Sequence, residues 1–241
     1  MLAAIENNDI DKLESILKFA SPNCVTGTVV KSTLSQKFRY TPLGVACEEG
    51  NFEMVKILIE NGADVNYVPI NTMASPLGLS AKSDSVDNLR IVKFLLENGA
   101  DVNDYRENQM HPASMALSDR KLRPNGMEIL EVLLEAGADP EKNRILKTAC
   151  YDKDEEAIRY LIEEWGYDAS NPANICLYCY GGGEYSYDTF EYFLKRGANP
   201  YEKYSINNYI EEKCAIDYLL EKSPEWAETL IKLAAEYGFE K

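Results

Sequence analysis

The chain has 241 residues, of which 45% are hydrophobic and 27% are charged, and its formal net charge is −15. This hydrophobic content is enough to build a buried core, and no tract rich in Gly, Pro or Ser marks a linker between separate domains. The negative charge repels phosphate backbones, so it disfavours a nucleic-acid partner.

The sequence contains no apolar run of about 18 residues, the length that a membrane span requires. Residues 1–9 lack the basic start and the apolar stretch of a secretory signal. The six cysteines fit a reducing compartment as unpaired thiols. We therefore expect a cytoplasmic protein that does not bind membranes.

The chain begins with two predicted helices, from Leu2 to Asn7 and from Asp11 to Phe19. A long connection rich in Ser and Thr follows over residues 21–39. The phrase Thr41-Pro42-Leu43-Gly44 then opens a helix, because a hydroxyl residue caps the helix and proline suits its first position. The phrase returns as Ser75-Pro76-Leu77-Gly78, and more weakly as His111-Pro112-Ala113-Ser114.

A second phrase closes a longer amphipathic helix in each copy. Its glycine can take the left-handed conformation that ends a helix. The helix before it carries apolar residues at helical spacing, as in Val55, Leu58 and Ile59. The four glycines of this phrase are Gly62, Gly99, Gly137 and Gly197.

The spacing of both phrases identifies a repeat. Successive starts lie 34 and 36 residues apart, and the first three closing glycines lie 37 and 38 apart. Together with the Thr-Pro-Leu start, this resembles the ankyrin repeat, which runs near 33 residues. The resemblance implies an all-α ankyrin-repeat solenoid of six or seven helix-turn-helix repeats with degenerate terminal caps, in a single domain over residues 1–241.

The repeat boundaries follow from these phrases. Lys82–Asn88 and Arg120–Gly126 are extra residues, which we expect to lengthen the turn within a repeat. The fifth repeat lacks the Thr-Pro start, and Gly181-Gly182-Gly183 ends the first helix of the sixth. The approximate repeats are 1–39 with the N-terminal cap, 40–73, 74–109, 110–143, 144–172, 173–204 and 205–241 with the C-terminal cap.

Ankyrin-repeat proteins bind other proteins through a concave face of first helices and loop tips, so the resemblance implies the same here. Residues 121–241 carry a net charge of −10, and 12 of the 16 tyrosines lie between Tyr151 and Tyr218. Tyrosine provides large, stiff contact area, and acidic residues suit a basic partner. The predicted partner-binding residues are Glu48, Glu49, Tyr67, Tyr105, Arg106, Asp119, Tyr151, Asp152, Tyr180, Tyr185, Tyr201 and Tyr204.

Three functions remain open at this point. The chain is an inhibitor or immunity-type protein that covers a basic surface, or an adaptor or effector scaffold that docks a cellular or host protein. A third alternative is an enzyme or small-molecule binder with a pocket near Gly181–Tyr187. Solvated acidic faces and packing between irregular repeats are the plainer interpretations of the carboxylates and tyrosines.

Little in the sequence favours catalysis. Cys176 and Cys179 form a CxxC pair, but no second pair completes a zinc site. Cys47 and Cys150 follow alanines in core positions, and His111 takes the capping position equivalent to Thr41. We therefore expect a non-enzymatic monomer with no catalytic residue, cofactor or metal.

Overall fold

The computed structural model describes residues 1–24, 40–69, 74–104, 111–118, 120, 125–140, 144–181, 183–205 and 212–240. Within these residues the chain forms fourteen helices and no strand, apart from an isolated antiparallel bridge between Tyr204 and Lys213. The prediction of an all-α fold is confirmed. The chain divides into two compact units, unit 1 over Met1–Asn143 and unit 2 over Arg144–Lys241.

Unit 1 consists of four consecutive helix pairs. The first two pairs are α1 (Leu2–Glu6) with α2 (Ile10–Leu17), and α3 (Pro42–Glu48) with α4 (Phe52–Glu60). The next two are α5 (Pro76–Lys82) with α6 (Asn88–Glu97), and α7 (Pro112–Leu117) with α8 (Gly126–Glu135). The second helix begins at Ile10, one residue earlier than predicted, because Asp9 caps it by accepting a hydrogen bond from the Lys12 amide.

Unit 2 consists of three pairs. They are α9 (Ile145–Tyr151) with α10 (Glu155–Glu163), α11 (Pro172–Tyr180) with α12 (Tyr187–Lys195), and α13 (Ala215–Lys222) with α14 (Pro224–Glu236). The described residues thus form seven pairs, which agrees with the predicted six or seven repeats. The two predicted insertions lie between α5 and α6 and between α7 and α8, where they leave the helix pairs intact.

The opening and closing signals act as the sequence predicts. The Thr41 hydroxyl accepts a hydrogen bond from the Gly44 amide at 3.0 Å, and the Ser75 hydroxyl accepts one from the Gly78 amide at 3.2 Å. The four closing glycines have φ between 85° and 91°. The two hydroxyl caps satisfy amides that the first turn of a helix leaves without an intrahelical partner.

The first helices of neighbouring pairs pack side by side, α1 to α3 to α5 to α7 in unit 1 and α9 to α11 to α13 in unit 2. The second helices supply the large core side chains beneath them, including Leu58, Ile91 and Leu95, all fully buried. Each pair alone is too thin to cover this apolar surface, so the neighbouring pair completes its core.

Asparagine side chains join the loops of neighbouring repeats in unit 1. The Asn66 amide group donates to the Gly99 carbonyl at 2.9 Å, and the Asp101 amide donates to the Asn66 side-chain oxygen at 2.8 Å. Asn23 and Asn103 make the same two bonds to the loops that follow them. One side chain in each of these loops therefore fixes its spacing from the next loop.

In unit 2, phenol groups join the second helices. The Tyr192 hydroxyl donates to Glu163 at 2.9 Å, and the Tyr237 hydroxyl donates to Glu191 at 2.7 Å. Burial and the bond to Glu163 raise the pKa of Tyr192 to about 12. These tyrosines contribute to packing, as the plainer interpretation of the tyrosine-rich half expected.

Candidate functional site

The predicted partner-binding residues lie at two different ends of the helix pairs. Glu48, Tyr151 and Tyr180 are the last residues of the first helices α3, α9 and α11, next to the turn within each pair. Glu49 and Asp152 are the residues that follow. Tyr67, Tyr201 and Tyr204 lie instead in loops after second helices. The first group therefore lies at the turn end of the pairs and the second at the loop end. A helix of nine residues separates these two ends by roughly 13 Å.

At the turn end of unit 1, two clefts among the described residues share Glu49. One has a volume of about 530 Å³ and is lined by Glu48, Glu49, Leu79, Lys82, Ser83, Asp84 and Ser85. The other has a volume of about 380 Å³ and is lined by Ile5, Glu6, Asn8, Glu49, Gly50, Asn51, Phe52, Glu53, Asp87 and Arg90. Six carboxylates and two cationic side chains therefore line them together.

Hydrogen bonds between neighbouring turns hold the walls of these clefts. The Ser83 hydroxyl donates to the Glu48 carbonyl at 3.1 Å, and the Ser85 hydroxyl donates to the Gly50 carbonyl at 3.0 Å. The Asn51 side chain donates to the Asn8 side chain at 2.7 Å. The three pairs that form the walls are thus tied together at their turns.

One of the two cations of the clefts is already engaged. The Arg90 guanidinium lies 3.5 Å from the ring centroid of Phe52, which is a cation–π contact. The ring of Phe94 packs edge-on against Phe52 at 5.4 Å. Arg90 therefore helps to hold the floor of the smaller cleft, while the carboxylates provide its prevailing charge.

The turn end of unit 2 carries a row of tyrosines. The ring centroids of Tyr151 and Tyr180 are 6.0 Å apart, and those of Tyr180 and Tyr218 are 5.3 Å apart. Exposure falls along this row, from 46% at Tyr151 to 3% at Tyr218. The structure thus brings together Tyr151 and Tyr180, two of the predicted residues, and leaves Tyr151 accessible.

Tyr185 points into the packing of unit 2. Its hydroxyl donates to the Cys179 carbonyl at 3.0 Å, and its ring stacks on Phe190 and contacts Trp226. Burial raises the pKa of its phenol above the ordinary value. Tyr185 is therefore a less accessible contact residue than Tyr151.

The loop tyrosines differ in accessibility. Tyr67 is 38% exposed, whereas Tyr201 and Tyr204 are half-buried. Tyr204 exchanges two backbone hydrogen bonds with Lys213. The predicted residues Tyr105, Arg106 and Asp119 lie outside the described residues.

The cysteines occupy packed positions. Cys47, Cys150, Cys176, Cys179 and Cys214 are buried, and all six cysteines are free thiols. Burial raises the pKa of Cys47 and Cys150, which disfavours the reactive thiolate.

Over the described part of the chain, no group of three His, Cys, Asp or Glu residues is placed to hold a metal ion. Nor do the described ranges include a helix with the length and apolar character of a membrane span.

The sequence did not single out every residue of interest. Asp84 and Asp87 line the clefts because the insertion after α5 carries them there. The sequence signal that could have identified these residues is the presence of two aspartates within an insertion between two helices. Lys153, which is buried beneath the turn between α11 and α12, gave no signal, because its contacts lie 28 and 30 residues further along the chain.

Comparison with known proteins agrees with this architecture. Residues 1–106 match a family model described as ankyrin repeats in three copies. The chain is similar to the crystal structure of the human ASB11 ankyrin repeat domain, with a TM-score of 0.68 and 22% sequence identity over 96% of both chains. No curated protein matches the chain. The family model supports the prediction of ankyrin repeats over residues 1–106, and the prediction of an ankyrin-repeat fold is confirmed.

Proposed function

We propose that this chain is a non-enzymatic binding module whose two turn-end clefts in unit 1 hold a basic segment of another protein. Ankyrin repeats are generally protein-protein interaction modules, which gives the broad class. The observation that supports a basic partner is the lining of the clefts, which includes six carboxylates and only two cationic side chains. Lys or Arg side chains are the groups that such a lining attracts.

Rigidity favours binding at these clefts. The hydrogen bonds from Ser83 and Ser85 to the preceding turn are intramolecular, so they hold the cleft walls without a partner. A surface that is already ordered loses little further conformational entropy when a partner arrives. The cleft walls can therefore select a partner by charge and fit without first folding around it.

The overall charge supports the same class of partner. A net charge of −15 attracts basic protein surfaces over distances of about one Debye length and repels nucleic acid. The finer hypothesis is an inhibitor or immunity-type protein that covers a basic region of its target. We propose that it acts as a cytoplasmic monomer and without a cofactor.

Two alternatives keep distinct expectations. An adaptor or effector scaffold would bind through apolar and tyrosine contacts, so reversing charges at the clefts would leave its binding intact. An enzyme or small-molecule binder would use the region of Gly181–Tyr187, where Lys153, Tyr185 and Trp226 contact one another or the turn backbone. A ligand-dependent rise in melting temperature across a compound panel would favour that alternative.

The test compares capture of partners from native lysate by the wild type and by two variants with equal net charge. Glu49→Lys reverses the charge shared by both clefts, and Glu97→Lys reverses an exposed charge at the far end of α6. We expect a protein with a basic surface to bind the wild type and Glu97→Lys, and to be lost from Glu49→Lys and at high salt. Equal capture by all three proteins would contradict the proposal.

A further inference from the structure

The last described helix pair, α13 with α14, carries two apolar residues that face solvent. Leu220 of α13 is 51% exposed, and Ile231 of α14 is 37% exposed. Single exposed apolar side chains are common on protein surfaces, so exposure alone says little. These two residues are informative because of the positions that they occupy in the repeat.

Leu220 lies six residues after Cys214, which is the N-cap of its helix. The first helices α3, α5, α9 and α11 each pack beside the first helix of the next pair in the same unit. In these four helices the residue six positions after the N-cap is at most 4% exposed; the residues are Cys47, Ala81, Cys150 and Leu177. A preceding pair packs beside α13 as well, yet Leu220 is exposed. The position therefore faces the pair that follows.

Ile231 occupies the corresponding position of the second helix. It lies seven residues before Gly238, which closes α14 with φ of 81°. The residues seven positions before three other closing glycines are fully buried; they are Val55, Val92 and Phe190. The contact of Phe190 shows what covers this position, because its ring centroid lies 5.7 Å from that of Trp226 in the next pair.

The outer face of the last pair thus resembles an internal face of the stack. A terminal repeat that ends a stack in water needs a polar outer face. The last described pair instead keeps apolar side chains at both positions on which a following pair would stack. The face therefore continues the interfaces between repeats and is suited to another helix.

The charges beside this face are mostly negative. Along α14, the side chains of Glu225, Glu228 and Glu236 are exposed, against one exposed ammonium at Lys232. Glu228 lies three residues before Ile231, so it shares the same side of the helix. A helix with basic residues beside its apolar stripe complements such a face.

We propose that the outer face of α13 and α14 binds an amphipathic helix of another protein, with apolar residues spaced three and four apart and Lys or Arg beside them. Leu220 and Ile231 pack against the apolar stripe, in the way that Trp226 packs on Phe190. The face includes no residue that lines the clefts of unit 1, so it is a second interaction surface.

The test uses the full chain and a synthetic helical peptide of leucine and lysine, with its leucines on one face. A peptide of the same composition, with its leucines spread around the helix, is the control. We expect the first peptide to bind at physiological ionic strength and to shift the δ1-methyl signal of Ile231 in NMR spectra. The control peptide should bind at least about tenfold more weakly, because it cannot bury its leucines together.

Two double variants locate the binding. Leu220→Ser with Ile231→Ser should weaken binding of the first peptide at least about tenfold, because the apolar contact is lost. Phe19→Ser with Val86→Ser removes two exposed apolar side chains of unit 1 and should bind as the wild type does. Equal affinities of the two double variants would overturn the proposal.

Three other results would also overturn it. One is an unmoved Ile231 methyl signal in the wild type, which decides the matter even if the first double variant does not fold. Another is a wild-type dimer in sedimentation equilibrium that Leu220→Ser with Ile231→Ser abolishes, since a second copy then occupies the face. The third is loss of peptide binding in Glu49→Lys alone, which would place the peptide at the clefts and leave the proposed function standing.

Discussion

The asparagine bridges between loops make a quantitative prediction about stability. Asn66→Ala removes at least two hydrogen bonds, one to the Gly99 carbonyl at 2.9 Å and one from the Asp101 amide at 2.8 Å. Each such bond contributes about 0.5–1.5 kcal/mol net. The site is at the surface, so water can replace part of the loss. We expect the free energy of unfolding to fall by about 1–2 kcal/mol.

Asn98→Ala is the matched control for this variant. The Asn98 side chain donates to the Phe94 carbonyl at 2.8 Å, within the end of its own helix, and bonds to no second loop among the residues that the structure describes. Its loss should cost less than about 1 kcal/mol. Urea unfolding followed by far-UV circular dichroism compares the two variants with the wild type, at one protein concentration and one pH.

The comparison of Asn66→Ala with Asn98→Ala tests whether Asn66 joins neighbouring repeats. If Asn66 joins neighbouring repeats, its removal should also raise amide exchange in the loop that contains Gly99, whereas Asn98→Ala should not. Equal losses of stability from both substitutions, with no change in exchange at the next loop, would refute a role for Asn66 between repeats.

Two further substitutions test packing. Leu58→Ala should lower the free energy of unfolding by about 2–5 kcal/mol, because Leu58 is fully buried, whereas the exposed Glu49→Ala should stay within about 0.5 kcal/mol of the wild type. Equal effects in chemical denaturation would contradict the assignment of core and surface. Gly181→Ala should destabilise unit 2 by at least about 1–3 kcal/mol, because a Cβ there would lie 1.9 Å from the Tyr151 carbonyl oxygen. A melting temperature equal to that of the wild type would count against this close approach.

The repeats could be predicted because their signals are local. Thr41 and Pro42 indicate where a helix begins, and Gly62 indicates where the next helix ends. Neither signal depends on a residue distant in the sequence. The position of Glu48 and Glu49 at a turn follows from the same signals. Local chemistry therefore determined most of the fold and one part of the candidate site.

The remaining features depend on how repeats stack. Lys153 meets Gly181 and Gly183 only because α9 packs beside α11, and the sequence around Lys153 resembles any solvated turn. Tyr185 and Tyr151 are both tyrosines at turns, yet one is packed and the other is 46% exposed. Residue type alone does not separate them, because the neighbouring repeat decides which ring is covered.

The most direct test of the acidic binding surface is the affinity of a purified captured partner at several NaCl concentrations. We expect Kd to rise steadily with salt, and Glu49→Lys to weaken binding by at least about tenfold at low salt, while Glu97→Lys binds nearly as the wild type does. A Kd that is independent of salt and equal for both variants would contradict the account of these clefts as a site for a basic partner.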